Sequence, residues 1–279
     1  MRVLVTGAGG QLGSTMVRRL RAGHDVVAMT HAQLDITRLA DVLRAARDAR
    51  PDAIVNCAAY NEVDRAEDDA QAAITCNALG VRALARAAAE QGAALVHYST
   101  DFVFDGEANE PYDEDALPSP KSVYAQSKLL GEWFAADAPR YYVLRVESLF
   151  GGEARHSSID RIVEALRSGG PARVFTDRVV SPSYVEDVVT ATERLLLDGI
   201  PSGLYHCVNS GYASWYEVGL AIARLLEVTP SALDPISVRD VALRAPRPRF
   251  CALSNARLRA AGISMPDWQD ALRRHLQRS

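Results

Sequence analysis

Arg2-Val3-Leu4-Val5-Thr6-Gly7-Ala8-Gly9-Gly10-Gln11-Leu12-Gly13 opens the chain, and this stretch decides the fold class. Arg2 to Thr6 is a short apolar β run. A helical pattern through Leu20 follows the glycines. Gly7 permits the tight turn between strand and helix. Gly10 lets a pyrophosphate approach the backbone at the helix N-terminus, with Gln11 and Leu12 beside it. Gly13 lets the helix pack on the strand. A glycine run alone is a weak signal. Between an apolar strand and an amphipathic helix it reads as a dinucleotide-binding turn.

Further along the chain, strands alternate with helices. Asp25 to Met29 reads as a second strand, Ala53 to Asn56 as a third, Ala94 to Tyr98 as a fourth and Tyr142 to Val146 as a fifth. Thr37 is expected to cap a helix ending near Pro51. Gln71 to Gln91 reads as one long alanine-rich helix stopped by Gly92, and Val123 to Ala136 as another. The strands are mostly uninterrupted apolar runs, as a parallel sheet covered on both faces requires. The expected class is α/β: a Rossmann-type doubly wound parallel sheet with a smaller, interwoven C-terminal substrate lobe. Residues 1–150, with contributions from about 181–210, form the dinucleotide domain. Residues 151–180 and 211–279 form the lobe. There, helices are expected at Ser157–Arg167, Tyr184–Leu197, Ser214–Leu226 and Asp267–Gln277, with strands at Arg173–Phe175 and Leu204–Val208. Ser214 and Glu217 are spaced as a capping box.

Composition narrows the function. The 279 residues carry a net charge of −4, which gives no nucleic-acid signal. No apolar run approaches the ~20 residues that span a membrane, and the chain begins in a strand without a signal peptide. Cys57, Cys76, Cys207 and Cys251 are far apart and read as buried free thiols of a cytoplasmic protein. The scattered His residues give no metal site. Asp113, Glu114 and Asp115 read as a solvated acidic loop.

Of 31 basic residues, only Lys121 and Lys128 are lysine. Lys128 follows Tyr124 by four residues. A compact ammonium there can lower a tyrosine pKa as a planar guanidinium fork cannot. Thr100 stands at the end of the fourth strand, on the carboxyl edge where ligands bind. Thr100, Tyr124 and Lys128 together suit proton donation to a carbonyl that receives hydride. The second strand ends in Thr30-His31 with no carboxylate to hold a ribose 2′-hydroxyl. That favours NADP(H), with NAD(H) the other candidate.

These motifs resemble the extended short-chain dehydrogenase/reductases, and within them the dTDP-4-dehydrorhamnose reductase branch. The resemblance rests on VTGAGGQLG (5–13), LDIT (34–37), NCAAYNEVDRAE (56–67), STDFVFDG (99–106), PYDED (111–115), YAQSKLLGE (124–132), SPSYVEDV (181–188) and RPR (247–249). It implies NAD(P)H-dependent reduction of the 4-keto group of a nucleotide-activated 6-deoxy sugar. Thr100, Tyr124 and Lys128 become the catalytic set, with Tyr124 the proton donor. Asp35 and Ile36 become neighbours of the adenine, Ala58, Ala59 and Tyr60 run along the cofactor, and Asn77 lies beneath it. Asp101, Val103, Glu147, Ser148, Arg178 and Arg249 are expected around the sugar nucleotide. Where members usually carry a Trp-bearing stretch after strand five, this chain has Arg145-Val146-Glu147-Ser148-Leu149. Leu149 offers no flat stacking surface there, and Glu147 adds a carboxylate. A homodimer is a possible assembly. Two alternatives stay open: a 4-epimerase that retains NAD, and a non-catalytic NADP-binding regulatory subunit.

Overall fold

The computed structural model describes residues 1–153 and 157–278. In chain order its strands and helices are β1 (Arg2–Thr6), α1 (Gln11–Leu20), β2 (Asp25–Met29), α2 (Leu39–Ala49), β3 (Ala53–Asn56), α3 (Ala70–Ile74), α4 (Gly80–Gln91), β4 (Ala94–Thr100), α5 (Val123–Ala135) and β5 (Tyr141–Val146). The remainder comprises β6 (Leu149–Phe150), α6 (Ser158–Arg167), β7 (Ala172–Phe175), β8 (Val179–Val180), β9 (Ser183–Tyr184), α7 (Val185–Leu197), β10 (Gly203–His206), β11 (Ala213–Ser214), α8 (Trp215–Leu225), β12 (Leu233–Ile236), α9 (Ala256–Ala260) and α10 (Trp268–Gln277).

Six parallel strands form the main sheet in the order β10-β5-β4-β3-β1-β2. Alternate residues of the apolar runs serve two cores. Val3, Val5, Val55 and Val96 pack on one face with Met16 and Leu20 of α1 and Val188 of α7. Leu4, Ile54 and Leu95 pack on the other with Val42 of α2 and Leu84 of α4. The order reverses between β1 and β3, which opens a crevice at the carboxyl ends of the strands. The ends of β1 and β3 are pinned there to each other and to the middle of β4. Asn56 Oδ1 accepts the Thr6 hydroxyl at 2.7 Å, and its amide meets His97 Nδ1 at 3.1 Å.

Two expectations need correction here. Thr37 does not cap α2: its N–H and hydroxyl both donate to Asp35 Oδ1, at 3.0 and 2.7 Å, and the helix begins after Arg38. Those bonds hold the Asp35 carboxyl below its ordinary value. The long Gln71–Gln91 helix is also interrupted. A π turn at Thr75–Leu79 separates α3 from α4. It swings Asn77 inward, and such bulges recur at functional sites. Gly92 does end α4, in the left-handed region at φ 65°.

A third core joins Phe150, Ile162, Val174, Trp215, Val218, Trp268 and Leu272 beneath the smaller lobe. The Ser214–Glu217 capping box is present. Glu114 departs from the solvated loop expected of it. It is buried, and its carboxylate accepts the His206 N–H at 2.8 Å. No helix among the described residues is long and apolar enough to cross a membrane.

Candidate active site

The glycine turn divides its labour as geometry demands. Gly7 sits at φ 64°, and a Cβ on it would lie 2.5 Å from Ala58 N. A Cβ on Gly13 would lie 2.2 Å from Gly7 O, so this glycine lets α1 close on β1. Gly10 is different. Its N–H donates to Gly7 O at 3.0 Å, and the nearest atom to an added Cβ is 3.4 Å away. The backbone is therefore open on the side where a phosphate must approach. No acidic residue stands in the first turn of α1 to oppose an anion. Gln11 lines the crevice, and its amide donates to Gly151 O at 2.9 Å, tying the turn to the segment after β6.

On one side of the turn lies a cavity of about 520 Å³ bordered by His31, Asp35, Ile36, Ala58, Ala59, Tyr60 and Cys76. Thr30 is not among its walls. The Thr30 hydroxyl is spent on Gln33 Oε1 at 2.9 Å. Asn77 is not a wall either. It is buried, accepting from Tyr60 N at 2.8 Å and donating to Tyr60 O and Ser127 Oγ at 3.0 Å. It braces the cavity loop against α5. Cys57 borders both this cavity and the next one, so it and Cys76 are half-buried rather than core thiols.

On the other side is a cavity of about 430 Å³ that shares Gly10, Ala58 and Ala59 with the first. The crevice is thus two chambers joined at the phosphate turn. Its length and open backbone fit a dinucleotide. Thr100, Tyr124 and Lys128 all border the second chamber. Tyr124 and Lys128 are one helical turn apart on α5, whose N-terminus is capped by Ser122.

Burial pushes the Tyr124 phenol above its ordinary value, and Asp101 adds to this while the Thr100 hydroxyl opposes it. The phenol is therefore protonated at neutral pH. Lys128 Nζ donates to Tyr98 O at 2.5 Å, and burial lowers its own pKa to about 8, against Cys76 and Glu132. In this structure the ammonium acts on the end of β4 rather than on the phenol.

Beneath the lysine lies a network that sequence reasoning missed. Glu132 takes both prongs of the Arg145 guanidinium at 2.9 and 2.7 Å, and also accepts Ser99 Oγ at 2.5 Å. Arg145 lies 4.9 Å over the Phe104 ring. Gly131 precedes Glu132 because a Cβ there would lie 2.2 Å from Asn77 O. The signal was present as the Gly-Glu closing YAQSKLLGE.

Of the expected sugar-nucleotide contacts, Asp101, Ser148 and Arg178 border the second chamber. Glu147 is buried behind it. Val103 is not a contact: it is fully buried with Phe104, Leu129, Val208 and Leu253. Arg249 is exposed and absent from the chamber walls; its carbonyl accepts the Val179 N–H at 2.8 Å, and its charge acts on Asp177. Arg178, Ser158 and Trp215 continue into a third cavity of about 260 Å³ with Arg161, Arg173 and Phe175. Trp215 is both a packing anchor and a cavity wall.

The RmlD substrate binding domain family model matches residues 1–279. The chain belongs to that family. Within it, the chain is 36% identical over 279 residues to a dTDP-4-dehydrorhamnose reductase of Mycobacterium tuberculosis, covering 97% of this chain and 91% of that one. It is 38% identical over 280 residues to a probable dTDP-4,6-dihydroxy-2-methyloxan-3-one 4-ketoreductase of Streptomyces antibioticus, covering 98% and 94%. Among solved structures, a Bacillus anthracis dTDP-4-dehydrorhamnose reductase in complex with NADP superimposes with a TM-score of 0.94 at 32% identity, covering 100% of this chain and 99% of that one. The RmlD family chain has the same fold end to end.

Proposed function

We propose that this RmlD family chain is an NADPH-dependent ketoreductase acting on the 4-keto group of a dTDP-linked 6-deoxy sugar. The observation that carries the reading is the meeting of Thr100, Tyr124 and Lys128 in a chamber that opens onto the glycine turn. When bound, the nicotinamide supplies the hydride. The residues do the rest. Thr100 polarises the carbonyl. Tyr124, held protonated by its burial, gives its proton to the oxygen. Lys128 holds the nicotinamide ribose and steadies the tyrosinate that results. Arg178 and Arg161 suit the diphosphate, and Phe175 and Trp215 suit the base. Residues 1–150 and about 181–210 hold the cofactor, and the remainder holds the substrate.

The test is direct. Purified protein, NADPH and a dTDP-4-keto-6-deoxyhexose should give stoichiometric cofactor oxidation. Sugar turnover with the cofactor unchanged would identify an epimerase. Tight NADPH binding without turnover would identify a regulatory subunit.

Two substitutions examine the cofactor end. Gly10→Val fills the open approach at the turn while leaving the packing of Gly7 and Gly13 alone. NADPH affinity should fall more than tenfold, about 1.4 kcal/mol or more, in a protein with an unchanged denaturation midpoint. Calorimetry that finds ordinary affinity would remove the turn from the phosphate site. His31→Asp places a carboxylate at a cavity wall now free of one at that position. The ratio of NADPH to NADH affinity should drop, because the new charge repels a 2′-phosphate and accepts a 2′-hydroxyl. An unmoved ratio would put His31 away from the ribose.

A further inference from the structure

Asp101 and Glu147 are 4% and 2% exposed, one from the end of β4 and the other from the end of β5. Their nearest carboxylate oxygens and Cys251 Sγ all lie within 4.8 Å of one another. Glu147 Oε2 accepts the Ser181 N–H at 2.6 Å, and Asp101 Oδ1 accepts the Thr100 hydroxyl at 2.9 Å. The other two oxygens, Asp101 Oδ2 and Glu147 Oε1, are buried and have no hydrogen-bond partner among the described residues. Two adjacent buried carboxylates cannot both stay ionised.

The surroundings decide what joins them. Arg178 is the cation that acts on both carboxyls, while Cys251 and Tyr124 face Asp101 as neutral groups. One proton makes Asp101, Glu147 and Arg178 neutral together, whereas a divalent cation would stand against the guanidinium.

We propose that Asp101 and Glu147 share one proton at neutral pH, and that this pair is the internal source that refills Tyr124 through the Thr100 hydroxyl. The proposal rests on the ketoreductase reading. Asp101 is held above its ordinary value, to about 6, by burial, and Glu147 well above by burial and by Asp101. The reduction takes up one hydride, supplied by the cofactor, and one proton. The Tyr124 O–H bond breaks as the product O–H bond forms. The Thr100 hydroxyl proton passes to the tyrosinate. As the Thr100 proton leaves, the Thr100–Asp101 bond reverses: the protonated Asp101 carboxyl donates its proton to the Thr100 oxygen, and solvent then reprotonates the pair. Glu147 acts through Asp101 and is a positioning residue. Without it Asp101 keeps its burial but loses the neighbour with which it shares the proton, and Arg178 then favours its ionised form.

Infrared difference spectroscopy of the full-length, ligand-free protein tests the sharing separately from catalysis. The carbonyl stretch of a protonated carboxylic acid should be present at pH 7, shift in D2O, fall sharply in Glu147→Gln, and vanish when Asp101→Asn is added. Absence of that band in the wild-type protein overturns the proposal whatever the activity. So would stoichiometric zinc or manganese retained through purification and released by Glu147→Gln. In the kinetic arm, Glu147→Gln should lower kcat about tenfold, less than the ~10²–10⁴ of a direct donor, with KM little changed. The basic limb of its pH–rate profile should move to lower pH, and Glu147→Asp should restore both. A Glu147→Gln enzyme with wild-type kcat and profile overturns the source role. If no dTDP-4-keto sugar is turned over by the wild type, the ketoreductase reading fails while the infrared band still decides the shared proton.

Discussion

Tyr124→Phe is expected to lower kcat for a dTDP-4-keto sugar by ~10²–10⁴, the usual cost of removing a general acid. The substitution removes only the phenolic oxygen. The edge-to-face contact of this ring with Phe102, at 6.0 Å and 88°, is kept. The helix cap at Ser122 and the bond from Lys128 to Tyr98 O do not involve the hydroxyl. Cofactor affinity and the denaturation midpoint should therefore stay close to wild type, which isolates the loss to the proton-transfer step. Product formation at near-normal rate would take Tyr124 out of the chemistry.

The second large effect is on stability. Glu132→Ala leaves the Arg145 guanidinium, 2% exposed, without its carboxylate. Breaking one side of a buried pair costs about 3–5 kcal/mol, because a charge is left desolvated and unpaired. Ser99 Oγ loses its acceptor as well. Denaturant titration should show an earlier midpoint at unchanged slope. Replacing both partners, Glu132→Leu with Arg145→Leu, should recover much of the loss, since no lone charge remains. A loss below about 1 kcal/mol in the single variant would mean that the pair is solvated in solution.

The parts of this molecule that were legible in the sequence are those set by local rules. The alternation of Val3, Leu4 and Val5 between two cores follows from an apolar run that is buried on both sides. The glycine turn was readable because its three glycines fall between an apolar strand and an amphipathic helix. What was hidden depends on partners far apart. The π turn at Thr75–Leu79 is masked by alanine-rich helix propensity and exists because Asn77 finds Tyr60 and Ser127. Val103 shares a motif with Thr100 and Asp101, yet the short 3₁₀ turn at Asp101–Val103 rotates it into the core. Arg249 reads as a substrate contact because a guanidinium suits a diphosphate. Its side chain faces outward while its main chain pairs with Val179. Glu132 and Arg145 sit on different elements; Gly131-Glu132 marks a close approach in the sequence but does not name Arg145 as the partner.

The placement of β10 has a consequence for how the chain is made. β5 ends at Val146, but the strand that pairs with its outer edge begins only at Gly203. At roughly 5–20 residues per second of synthesis, the outer edge of β5 stands bare for several seconds before its neighbour emerges. A bare strand edge invites pairing with other chains. A chain cut after residue 150 would keep the glycine turn, Thr100, Tyr124 and Lys128, and yet carry that edge permanently. A unit for expression or for fusion therefore has to reach past β10, the late strand that returns from beyond the smaller lobe's first segment to seal the sheet.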